Sequence, residues 1–176
     1  MQAVLEVVRL YLRAFVVNPT ANLLERLTGK NIMATCLAGK VLRQHSMPQD
    51  EALYIEPIVL TLRDLGFRFP PKSKEFLDQK QLQRQIKKYA QFYGEFTVEL
   101  LPEWAGGYIR EMYDEQPDDE VLYCAMSPVV VDGQEVILTL GYYAREDKLL
   151  LGTALVDEDV RHPLDREFIF RVVKKK

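Results

Sequence analysis

At Gly94 the hydrophobic period of this chain changes, and no other feature constrains its fold as strongly. Before that point Leu82, Ile86, Tyr89 and Tyr93 recur at i, i+4, i+7 and i+11, the stripe of an amphipathic helix. After it Phe96, Val98 and Leu100 alternate with Glu95, Thr97 and Glu99, the pattern of a half-buried strand. Helical spacing upstream and strand spacing downstream is the order of an α+β fold. The expectation is a single domain over 1–176. Its helical half, 1–94, has four to five helices packed on a mainly β half, 95–176, with an antiparallel sheet of about four to five strands.

Caps and breakers divide the helical half. MQAVLEVVRLYLRAFVV carries Glu6, Arg9 and Arg13 at helical spacing, a narrow polar stripe that suits a core helix rather than a signal or a membrane span. Asn18-Pro19-Thr20 caps LLERL, which stops at Gly29, and Asn31 caps IMATCLAGKVLRQ. Ser46-Met47-Pro48 opens a helix through DEALYIEPIVLTLRDL to Gly66, kinked at Pro57. FRFPP is extended, because residues before proline are driven out of the α region. A long helix then spans Ser73 to Tyr93.

In the β half, Asp132-Gly133 joins VLYCAMSPVVV to EVILTLGYYA as a tight hairpin, Arg145 to Lys148 leads into KLLLGTALV, and EFIFRVV is the last strand. Counting from the two turns sets Cys124 opposite Gly141 and Gly141 opposite Gly152. Pro128 then falls where the amide points away from the partner strand, which makes this strand an edge near Pro128. Both faces of the sheet are mainly apolar, so each needs a cover. PEWAGGYIREMY holds the only tryptophan and the only Gly-Gly pair. Pro102 suits the start of a helical turn, and Trp104, Tyr108 and Met112 fall on one side of it. The segment is expected to dock on the glycine row, with Gly106-Gly107 a close joint between the halves rather than a ligand loop.

The chemistry is sparse. Cys36 and Cys124 are far apart and set among apolar residues, which reads as free buried thiols in a reducing cytoplasm. No nucleophile elbow, zinc-binding or phosphate-loop pattern occurs, and Asp157, Asp159, His162 and Asp165 share a loop without a metal-ligand spacing. No catalytic residue, metal or cofactor is therefore expected. A net charge of −3 argues against nucleic acid as a partner. The charge is unevenly spread: Lys72, Lys74, Lys80, Arg84, Lys87 and Lys88 crowd one segment, and Glu103, Glu111, Asp114, Glu115, Asp118, Asp119 and Glu120 another.

These features point to a non-catalytic, cytoplasmic protein-binding or adaptor domain that modulates assembly through its charged faces and a sheet edge. Lys72, Lys80, Arg84, Lys87 and Lys88 would contact an acidic protein partner, and homo-oligomers are compatible with this. One alternative is a small-molecule or lipid carrier whose pocket lies over the row of Cys124, Gly141 and Gly152, walled by Trp104 and Tyr108. Another is an enzyme that uses the Asp157 to Asp165 loop.

Overall fold

The computed structural model describes residues 15–17, 22–47, 53–87 and 96–174. Along them run β1 (Phe15–Val17), α1 (Leu23–Gly29), β2 (Met33–Ala34), α2 (Cys36–Gln44), β3 (Leu53–Ile55) and β4 (Pro57–Thr61). Next come α3 (Ser73–Phe76), α4 (Gln79–Lys87), β5 (Phe96–Glu99) and α5 (Ala105–Met112). The chain closes with β6 (Leu122–Cys124), β7 (Val129–Val131), β8 (Gln134–Tyr143), β9 (Lys148–Leu155) and β10 (Glu167–Lys174). The fold is α+β, but its helices are interleaved with strands and do not form a separate N-terminal half.

One sheet of eight strands dominates, in the order β2-β9-β8-β6-β10-β4, with β5 added to β10 and β7 to β8. It is mixed, not purely antiparallel, because β6 runs parallel to β10 and β2 parallel to β9. β1 and β3 make a separate antiparallel pair. Among the described residues no helix is long and apolar enough to cross a membrane.

The largest departure from the sequence reading is at 53–61, where two strands replace a helix. Ile55, Ile58, Val59 and Thr61 are β-branched and prefer a pleated surface. A strand apolar on both faces reads as a continuous run whose period does not separate it from a buried helix. Pro57 is tolerated as the first residue of β4, the terminal strand of the sheet order. Phe15–Val17, expected at the end of a helix, is strand β1, while residues 1–14 and the Asn18-Pro19-Thr20 cap lie outside the described residues. α2 begins later than Asn31 implied: Met33–Ala34 pairs with β9, and Thr35 caps the helix by accepting from the Ala38 amide. Cys36, in the first turn of α2, is exposed rather than buried.

Helices cover both faces of the sheet. Leu122, Leu140 and Leu151 share one face by register. Cys124 and Leu138 share it too, since a Cβ on Gly106 of α5 would stand 2.9 Å from Cys124 Sγ and 2.8 Å from Leu138 Cδ1. A Cβ on Gly107 would instead meet Leu23 of α1 at 2.7 Å and Leu42 of α2 at 2.9 Å. The glycine pair is thus a joint, with one member against the sheet and the next against two helices. Glu111 completes this layer by receiving Arg26 Nε and Nη2 at 3.0 Å each. On the opposite face Phe76 of α3 meets Phe168 edge-on at 4.8 Å.

The first hairpin turns as its sequence predicts. Val131 faces Gln134, and Asp132 and Gly133 have φ of 51° and 78°. Nothing lies within 4 Å of a Cβ placed on Gly133. Substitution there tests backbone conformation alone, and Gly133→Val is expected to lower stability by about 1–2 kcal/mol. A urea unfolding midpoint equal to that of the wild type would contradict this.

Candidate functional site

The expected helix from Ser73 to Tyr93 breaks at Leu77 and Asp78, and the break creates a cleft. Asp78 Oδ1 accepts from the Gln81 amide at 2.9 Å and so caps a new helix, α4. Leu82 and Ile86 turn inward, while Lys80, Gln81 and Arg84 stay exposed. Two glutamines tie α4 to the free side of β5: Gln83 Nε2 donates to the Val98 carbonyl at 2.8 Å, and Gln79 Oε1 accepts from the Leu100 amide at 2.9 Å. Between α3, α4 and the corner where β6 gives way to β7 lies a cleft of about 500 Å³. Ser73, Lys74, Leu77, Asp78, Lys80, Gln81 and Arg84 line it from the helical side and Ser127, Pro128, Glu135 and Val156 from the strand side, so the carboxylates of Asp78 and Glu135 border it along with the cations.

The basic segment is divided by its surroundings. Lys72 pairs with Asp159 at 3.0 Å and Lys74 with Glu158, so the acidic loop after β9 neutralises the lysines nearest α3. Lys80 and Arg84 have no carboxylate within salt-bridge distance among the described residues; Arg84 Nη1 reaches only Gln81 Oε1 at 3.5 Å. Lys87 closes α4, while Lys88, Tyr89, Phe92 and Tyr93 lie outside the described residues.

Beneath the cleft a Ser-His contact fastens α3 to the 157–165 loop. His162 Nε2 is 2.7 Å from Ser73 Oγ, and Arg166 Nη1 is 3.0 Å from His162 Nδ1. An arginine can only donate, so Nδ1 accepts and the ring proton sits on Nε2, which donates to Ser73 Oγ. The ring therefore holds the serine as an acceptor and has no lone pair with which to deprotonate it. Ser73 Oγ in turn donates to the Asp157 carbonyl at 3.4 Å. The two residues are 89 positions apart, and no spacing pattern in the sequence joins them.

Burial, and next the Arg166 charge, lower the His162 pKa below its ordinary value of about 6.5. The unfolded chain then binds the extra proton first, so this contribution to stability is complete above about pH 6.5 and is lost as pH falls toward the lower folded pKa. Urea midpoints should drop between pH 7.5 and pH 5.5 by more in the wild type than in His162→Gln. Equal drops would remove His162 from the account.

The expected ligand row does not form. In the second hairpin Tyr143 faces Lys148, which sets Gly141 opposite Leu150 and Gly152 opposite Thr139, a shift of two residues. In β6, Tyr123 faces Thr139, while in β7 Val129 faces Val136, so three extra residues are absorbed around Ser127-Pro128. Cys124 ends on the α5 face, and Gly141 and Gly152 on the opposite one. Trp104 and Tyr108 are buried and meet edge-on at 5.7 Å on the α5 side, whereas Met112 is exposed. The sheet thus separates the five residues of the carrier reading. Burial pushes the Cys124 thiol up to about 12.

In the 157–165 loop Asp157 Oδ1 accepts from the Asp159 amide at 2.8 Å and Asp159 pairs with Lys72. Among the described residues no group of three His, Cys, Asp or Glu side chains could hold a metal. A buried arginine escaped the sequence reading. Arg110 is fully buried, its Nη1 donates to Gln116 Oε1 and to the Gly141 carbonyl at 3.4 Å, its guanidinium lies over the Tyr113 ring at 5.4 Å, and its Nε and Nη2 have no hydrogen-bond partner among the described residues.

No family model, curated protein or solved structure matches this chain.

Proposed function

We propose that this protein is a non-catalytic binding module whose cleft receives an acidic segment of a protein partner. The observation that carries the reading is the pair Lys80 and Arg84, exposed on one wall of a cleft and paired with no carboxylate among the described residues. Unspent cations beside an apolar floor suit a carboxylate-bearing chain, because the charges steer and the floor buries side chains. The strand next to the cleft adds support. β7 pairs only with β8 among the described strands, and the two-residue turn makes Val131 and Gln134 the hydrogen-bonded pair. The N–H and C=O of Val130 then point away from β8, as a strand that accepts an extended partner requires.

The experiment is fluorescence anisotropy with a labelled Asp/Glu-rich peptide, run beside a random DNA duplex. Lys80→Glu combined with Arg84→Glu is expected to weaken peptide binding at least about tenfold, since both charges that attract the segment then repel it. The melting temperature should stay nearly unchanged, because exposed charges contribute little to folding. Tighter binding of the wild type to the duplex than to the peptide would reject the reading.

A further inference from the structure

The acidic loop and the cleft that carries Lys80 and Arg84 lie at opposite ends of one strand. Residues 113–121 follow α5, and buried Gln116 pins them to β8 by donating to the Leu140 carbonyl at 3.0 Å and to the Glu120 carbonyl at 3.1 Å. The Glu120 amide donates to the Pro117 carbonyl at 3.1 Å, which closes a β-turn with Asp118 and Asp119 at its tip. Both aspartates are exposed, as are Asp114 and Glu115, and none of the four makes a salt bridge among the described residues. Asp118 lies within electrostatic range of Tyr142, near the end of β8. The cleft touches Glu135, near the beginning of the same strand. Seven residues at about 3.3 Å each separate Glu135 from Tyr142 by roughly 23 Å along the strand. Over such a distance ions screen the attraction between two groups of exposed charge at ordinary salt.

From this arrangement we infer that the cleft's partner is a second copy of this chain, whose Asp118-Asp119 turn enters between Lys80 and Arg84. The inference rests on the reading of the cleft as a receptor for acidic segments. The turn is held in shape before contact, so little ordering entropy opposes docking. Donor and receptor occupy different places on one molecule, so each copy that docks by its loop alone leaves its own cleft available. Assembly then continues head to tail, or closes when the last free loop meets the first free cleft, in a ring or a reciprocal dimer.

Sedimentation velocity with charge-reversed variants tests this. At low salt the wild type should form a concentration-dependent series of species that returns to the 20.4 kDa monomer at high salt. A loop variant (Asp118→Lys with Asp119→Lys) and a cleft variant (Lys80→Glu with Arg84→Glu) should each be monomeric alone. Mixed in equal amounts they should assemble, because each loop then meets a cleft of opposite charge. A chain carrying all four changes should assemble by itself. Melting curves confirm that each variant is folded. A mixture that stays monomeric, or assembly that persists in either single variant, overturns the inference. If the wild type is monomeric throughout while the acidic peptide still binds through Lys80 and Arg84, self-assembly fails and the receptor reading stands; if the peptide fails as well, both fall.

Discussion

Gln116→Ala is expected to destabilise the protein by about 3 kcal/mol, more than its place in an acidic surface loop would suggest. Its amide oxygen accepts from Arg110 Nη1, and its nitrogen donates to the Leu140 and Glu120 carbonyls. Truncation leaves a buried guanidinium with one remaining acceptor, the Gly141 carbonyl at 3.4 Å, and strips the Leu140 carbonyl of this donor. Each buried group left without its partner costs about 1–3 kcal/mol, toward the upper end beside a charge. Burial already pulls the Arg110 pKa down to about 10, so the cation persists at neutral pH and the penalty applies there. A double-mutant cycle identifies the cause: in an Arg110→Met background the further change Gln116→Ala should lose much of its effect. A full effect in that background would mean that the loop, not the arginine, depends on Gln116.

Gly106→Ala should cost about 1–3 kcal/mol, although alanine favours a helix by about 1 kcal/mol over glycine. The new methyl would meet Cys124 Sγ at 2.9 Å and Leu138 Cβ at 3.2 Å, atoms fixed close to the strand backbone. Gly107→Ala is the control. Its near contacts are the terminal methyls of Leu23 and Leu42, which can rotate aside, so the loss there should be smaller. Thermal unfolding of the two variants decides between them, and an equal loss would mean that α5 shifts as a body when crowded.

What the sequence makes legible follows the range of its signals. The Asp132-Gly133 turn, the edge near Pro128 and the inward stripe of Leu82 and Ile86 are each written within a few residues, and each is found in the structure. The second hairpin is not legible, because Arg145 to Asp147 contains no glycine or proline to centre the turn; its loop runs from 144 to 147. The parallel pairs β6 with β10 and β2 with β9 join segments separated by long stretches of chain, and a crossover leaves no turn signature. The cleft was half legible. Lys80 and Arg84 stood out as charge, but the break at Asp78 that opens the wall, and the neutralisation of Lys72 and Lys74 from a loop more than 80 positions away, required the folded chain.

β10 forms late in chain order yet borders β4, β5 and β6 at once. During synthesis β4 and β5, which pair only with β10 among the described strands, must therefore wait with both backbone edges unfilled, and β6 with one, until residues 167–174 emerge from the ribosome. Such edges are what other nascent chains pair with, and non-local pairing is slow to form. The vulnerable interval thus lasts until β10 is available to pair. A chaperone that shields strand edges near the exit of the ribosomal tunnel should raise the yield of folded protein most when the emergence of β10 is delayed.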